Sequence, residues 1–183
     1  MTDFKQIIKE ADNFALSEIE KYHFPSLMHF NTANSKGGEL AKKLKAEEGI
    51  VQLGTRLMDI KLGECISEGR LKEHIERSAK ISREFLSKFD LPKDTVEKII
   101  NCVEEHHGTK KWACKEAEIC ANADCYRFLL LKDWLAFLIH IKGDFKLAEE
   151  KADEKWKVLS LDICKKELES DYKLIKEIIR RAK

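Results

Sequence analysis

The sequence predicts an all-α protein, on two observations. Gly (8) and Pro (2) are scarce among 183 residues. Apolar residues recur at helical spacing along almost the whole chain, as they do on the buried faces of packed helices. Charged residues make up 37% of the chain, 34 basic against 33 acidic, for a net charge of +1. That balance offers no electrostatic basis for general nucleic-acid binding or for adhesion to a membrane surface. The length suits one domain with a sizeable core.

The elements follow in order. A first helix is expected from about Thr2 to Tyr22, with Phe4, Ile7, Ile8, Ala11, Ala15 and Ile19 on its apolar side. Its amphipathic pattern begins almost at Met1 and is not that of a signal peptide, so the expected location is the cytoplasm. Pro25 can open a second helix at its first turn. That helix carries His29 and runs toward Leu44 through Gly37-Gly38. Gly49 separates it from a third, Ile50 to about Leu62, which holds Met58-Asp59. A fourth runs from Leu71 to Phe89 with His74, and Asp90-Leu91-Pro92 forms a turn. The fifth, Lys93 to His107, ends in a histidine pair followed by Gly108, a favoured residue just past a helix end. A sixth, near Glu116 to Ile141, contains Asp124. The remainder, 144–183, reads as one long or two consecutive charged helices, for about seven in all. The longest apolar stretch, Phe128 to Ile141, is broken by Lys132 and Asp133 and is too short and too charged to span a bilayer.

Cys65, Cys102, Cys114, Cys120, Cys125 and Cys164 contain no C-x-x-C pair. They read as buried helix thiols rather than as a disulfide framework or an iron–sulfur ligand set. Six other residues are of metal-ligand type: His29, Asp59, His74, His106, His107 and Asp124. Each has a blander reading. A lone histidine such as His23 or His140 is not a ligand, and His140, between Ile139 and Ile141, reads as a core residue. His106-His107 alone could be a helix-terminus pair favoured by the dipole. Asp124 is harder to set aside, because a carboxylate within Ala-Asn-Ala-Asp-Cys needs a charged partner or a metal if it is buried.

Together these residues resemble the HD-domain superfamily of metal-dependent phosphohydrolases. In that family a lone His precedes a His-Asp dipeptide by about thirty residues, and here Asp59 follows His29 by 59 − 29 = 30. Leu57-Met58-Asp59-Ile60-Lys61-Leu62-Gly63 stands for the family's L-L-H-D-I-G-K segment. Glu73 to Ile81 is similar to its H-x-E-x-[GS]-A-x-x-I helix, Val103 to Gly108 to its I-x-x-H-H-G helix end, and Ala117 to Phe128 to the helix that supplies its last Asp. The resemblance covers about residues 25–130, leaving 144–183 as a C-terminal helical extension. It implies an HD-type helical bundle in which His29, Asp59 and Asp124 converge on one ion. Asp59, the candidate catalytic residue, would bridge to a second ion held by His74 and by His106 or His107. The implied ion is Mn²⁺, Fe, Co²⁺, Ni²⁺ or Zn²⁺, and the implied substrate a nucleotide or related phosphate ester.

Two departures accompany the resemblance. Met58 replaces the histidine of the dipeptide, and a thioether is a poor ligand for these ions. Lys61-Leu62 stands where the family has Gly-Lys. Lys61 and Glu64 read as a solvated helix end rather than as substrate contacts. Three functions remain open: a hydrolase with an altered centre, a degenerate HD domain that binds a nucleotide or protein without turnover, and a helical scaffold whose histidines are incidental.

Overall fold

The structure is a computed structural model, and it describes residues 4–182. Among these there are ten α-helices, one 3₁₀ turn and no strand. The helices are α1 (Phe4–Tyr22), α2 (Leu27–Leu44), α3 (Glu48–Leu57), α4 (Leu62–Ser67), α5 (His74–Leu86), α6 (Lys93–Glu105), α7 (Lys115–Leu129), α8 (Leu131–His140), α9 (Phe145–Val158) and α10 (Asp162–Ala182), with the 3₁₀ turn at Leu71–Glu73. No described helix is long and apolar enough to cross a membrane. The residues expected at the very start of the first helix, Thr2 and Asp3, lie outside the described range.

α7 is the axis of the bundle. Eleven of its residues are buried, and they lie on every side of the helix rather than on one stripe. A helix buried all round must be enclosed by others, and α2, α3, α6, α8, α9 and α10 all pack on it. Small residues bring these helices close. A Cβ at Gly54 of α3 would fall 2.5 Å from Cys102 Cβ of α6 and 2.8 Å from Cys120 Sγ of α7. A single cluster of buried apolar residues runs from Ile7 of α1 to Ile179 of α10. All six cysteines are free; five are buried and Cys114 is half-buried at the start of α7.

Two expected helices are broken, and the C-terminal segment is two helices, one of the two alternatives its sequence left open; together these raise the number above the expected seven. The third stops at Leu57, because the Lys61 amide donates to Ser78 Oγ of α5 at 3.1 Å and holds Met58–Lys61 as a turn. The sixth divides at Leu130, whose backbone is extended, and the freed Leu131 amide donates to Asp171 Oδ2 of α10 at 2.9 Å. The C-terminal segment divides at 159–161. There the buried Asn122 accepts the Ser160 and Leu161 amides at 3.2 and 3.1 Å and donates to Glu118 O and Ser160 Oγ at 2.9 Å each. In each break a side chain from another helix meets a main-chain donor that a continuous helix would have used internally.

Two smaller expectations are corrected. Pro25 does not sit in the first turn of α2; Ser26 is the N-cap, its hydroxyl accepting the His29 amide at 3.3 Å. His140 is not a core residue. It is exposed at the end of α8, edge-on to Phe24 at 4.6 Å between ring centres.

The close approach of α3 to α6 and α7 gives a direct test. Gly54→Ala should lower unfolding stability by about 1–3 kcal/mol, because the added methyl has nowhere to go in a packed core. Urea denaturation of the two proteins measures it, and equal stability would show that the helices are looser than this geometry.

Candidate metal centre

Irregular backbone aims most of the site. Asp59 lies in the turn between α3 and α4, and His74 opens α5 directly after the 3₁₀ turn. His106 caps the end of α6, followed by His107 and then by Gly108, whose φ of +96° turns the chain away. Asp124 and Arg127 lie one turn apart on α7, and Lys155 comes from α9.

Asp59, His74, His106 and His107 each bring one ligand atom to within 4.8 Å of the others. The tautomers of two of them follow from their partners. His74 Nδ1 is 2.7 Å from the Leu71 carbonyl, and His106 Nδ1 is 2.7 Å from the Val103 carbonyl. A carbonyl only accepts, so each Nδ1 carries the proton and each Nε2 presents a lone pair. Both Nε2 atoms are buried without a hydrogen-bond partner. They point at Asp59 Oδ1 from 3.8 and 3.4 Å. Two bare imidazole nitrogens and a carboxylate oxygen converging in a buried space form an unsatisfied set that a divalent cation would complete. These residues therefore fit an ion.

The other side of Asp59 is different. Its Oδ2 accepts a hydrogen bond from Arg127 Nη1, which also donates to Asp124 Oδ1 at 2.6 Å. The second oxygen of Asp124 is held by Lys155 Nζ at 2.6 Å. All four side chains are nearly or fully buried. Two carboxylates and two cations thus run as an alternating, charge-balanced row behind the histidines.

The comparisons bear on the fold. No family model matches the sequence, and no curated protein matches it. Two solved structures do match in shape. One is a predicted HD superfamily hydrolase from an uncultured Thermotogales bacterium, 16% identical, covering 94% of this chain and 89% of that one with a TM-score of 0.69. The other is Bacillus subtilis YpgQ, 13% identical, covering 98% and 95% with a TM-score of 0.67. The chain has the HD-domain fold.

Within the HD fold, the expected site residues gather round one cavity of about 200 Å³. His29, Asp59, His74, His107 and Asp124 line it, and His106, which does not, has its Nε2 3.4 Å from Asp59 Oδ1. His29 stands apart from the histidine cluster, with its Nε2 3.3 Å from the Asp133 carbonyl. Arg127 and Lys155 are the residues that the sequence reading missed. Asp124 and Arg127 at i and i+3 were a visible local pair. Lys155 had a weaker signal: it follows Ala148 and Ala152 at helical spacing on the buried face of α9. Lys61 and Glu64 are not a freely solvated helix end. Lys61 is ion-paired to Glu18 at 3.0 Å and to Glu64 at 2.8 Å, and so ties α4 to α1.

The electrostatics suit metal ligation. Burial opposes the charged form of Asp59, but the Arg127 guanidinium overcomes it and holds the carboxyl well below its ordinary range. Asp124 is likewise held low against burial, by Lys155 and Arg127. Burial lowers His74, lowers His29 to about 4, and, with the help of His106 and Lys155, lowers His107 to about 3. All three imidazoles are therefore neutral near pH 7, the form in which imidazole binds metal.

These shifts fix the sign of the acid response. His29 is less basic folded than unfolded, at about 4 against an ordinary 6.5. The unfolded chain therefore binds the extra proton, and stability is full above about pH 6.5 and falls as the pH drops toward 4. Asp59 and Asp124 extend the loss below the ordinary carboxylate value of 3.8. His29 by itself should remove roughly 3 kcal/mol between about pH 7 and pH 4. Urea midpoints across that range, in wild type and His29→Asn, check it. The variant should show a flatter profile, and parallel profiles would contradict the assignment to His29.

Proposed function

We propose that this protein is a metal-dependent phosphohydrolase acting on a nucleotide or related phosphate ester. The observation that carries the reading is the pair of unprotonated, unpartnered Nε2 atoms of His74 and His106 facing Asp59 Oδ1. A mixed imidazole and carboxylate set suits Mn²⁺, Fe, Co²⁺, Ni²⁺ or Zn²⁺. The word hydrolase in the description of the Thermotogales relative supports the same class.

An ion held by these residues would supply Lewis acidity to a phosphoryl oxygen and make a nearby water more acidic. The chain's own residues do the rest. The Leu71 and Val103 carbonyls hold the ligand tautomers. Arg127 keeps Asp59 ionised and fixed in orientation. Lys151, Lys155 and Arg127 line the cavity with their charges paired to Glu154, Asp124 and Asp59, and they are the N–H donors to which a phosphate group would bind. Phe24, Leu62, Leu71, Phe128 and Phe137 make the rest of the lining apolar, which suits a nucleobase or another flat group and excludes water. The volume lies at the small end for ligand pockets, which favours a compact ester of mononucleotide size or less. Six free cysteines suit a cytoplasmic setting, which is part of this proposal.

A second reading, nucleotide binding without turnover, is favoured by one observation. Met58 and Arg127 stand where this fold could otherwise bring ligands and an ion to the far side of Asp59.

The test is phosphate release from a panel of nucleotides and from p-nitrophenyl phosphate, with protein purified without chelator and supplied with Mn²⁺ or Co²⁺. Turnover is expected, and His107→Ala should lower metal affinity and kcat/KM by more than about 100-fold. His107 lies just past the end of α6 and outside the cluster of buried apolar residues, so its removal leaves the core intact. Metal and nucleotide binding without turnover would establish the second reading. A chain that binds no metal would refute both metal-dependent turnover and the ligand set.

A further inference from the structure

The carboxylates on the far side of the site already hold cations, and those cations belong to the chain. Arg127 Nη1 sits between Asp59 Oδ2 and Asp124 Oδ1, and Lys155 Nζ takes the remaining oxygen of Asp124. The resemblance in the sequence would bring His29, Asp59 and Asp124 onto an ion. Those three do not fit one here. Three of the four carboxylate oxygens are engaged by buried cations, and His29 Nε2 faces the Asp133 carbonyl. A guanidinium does not give up its proton, so Arg127 cannot make room by becoming neutral. A divalent ion lodged between the same two oxygens would meet a full positive charge at contact distance, in a buried space where repulsion is weakly screened.

Met58 makes the same point independently. It is buried and lines a small cavity together with Asp59 and Arg127. Its thioether offers little to a borderline or hard ion. Toward the histidines, no cation among the described residues pairs with Asp59 Oδ1, and the Nε2 atoms of His74 and His106 have no hydrogen-bond partner there.

We propose that the chain holds a single divalent ion, at His74, His106, His107 and Asp59, and that Arg127 is a built-in cation in the place of a second. The inference rests on the metal-site reading above and sharpens it. Asp59 then bridges an exchangeable charge and a permanent one. Arg127 also lines the cavity, and its Nε–H has no partner among the described residues, which leaves a donor for an anionic group.

The experiment is a titration of metal-stripped, full-length protein with Mn²⁺, read by equilibrium dialysis and by electron paramagnetic resonance. Wild type should bind one ion per chain and show the spectrum of an isolated Mn²⁺. His107→Ala should weaken binding by more than about 100-fold, whereas His29→Ala should change it by less than about threefold. The double variant Met58→His/Arg127→Met should gain a second ion and a spin-coupled spectrum. If that variant does not fold without metal, restoration of its melting transition by Mn²⁺ reads the same gain. Two ions bound to wild type, or equal losses in His29→Ala and His107→Ala, would overturn the inference while leaving a metal-dependent hydrolase standing. A double variant that still binds one ion, or that Mn²⁺ does not restore, would also overturn it. Absence of any bound ion would remove the metal reading itself.

Discussion

The structure depends on a buried row of four charges: Asp59, Arg127, Asp124 and Lys155. Charges taken out of water are costly unless each finds an opposite charge and hydrogen bonds. Here the alternation leaves no carboxylate oxygen of Asp124 unpaired and gives Asp59 Oδ2 a donor. The row joins the turn after α3, the central helix α7 and α9, the penultimate helix. The cost of exposing any one member to an apolar interior without its partner holds these three elements in register. The C-terminal part of the chain is thereby part of the site rather than an appendage to it.

The irregular segments serve the same arrangement. A continuous helix through 50–62 would carry Asp59 onward with the helix. Instead the Lys61 amide binds Ser78, the chain turns, and the two oxygens of Asp59 face opposite ways. His74 and His106 stand at helix ends, where a carbonyl three residues back accepts a hydrogen bond from Nδ1. For His106, at the C-terminal end of α6, that carbonyl is among the last, which lack helical partners; at His74 the Leu71 carbonyl is shared between the ring and the His74 amide of the 3₁₀ turn. The ligand nitrogens are therefore aimed by backbone geometry, and their tautomers are set by the same contact.

The two sides of Asp59 differ in kind. The histidine side is unsaturated, so a cation gained there has ligands and no competitor. The arginine side is satisfied within the chain. This asymmetry gives the site a fixed cation, paired within the chain, on one side and a place for a mobile one on the other. The apolar lining by Phe24, Phe128 and Phe137 lowers the local dielectric and strengthens both.

The sequence by itself determined the helical class, through periodic apolar residues and few glycines and prolines. It also named the imidazoles and carboxylates that the fold gathers, because their order and spacing along the helices carry that information. It suggested that Asp124 needs a partner but could not say which. The partner of a buried charge is whatever cation the fold brings within reach, and Asp59 and Arg127 lie 68 residues apart, Asp124 and Lys155 31 apart. The helix breaks at 58–61 and Leu130 were hidden for the same reason, as was the position of the division at 159–161 between the two C-terminal helices. Each is made by Ser78, Asp171 or Asn122 capturing a main-chain donor from another helix. Local propensity reports only whether a segment can be helical. Tertiary structure decides where long-range hydrogen bonds end the helix, and whether a carboxylate is held by the chain's own cation or left facing lone pairs that only an ion can satisfy.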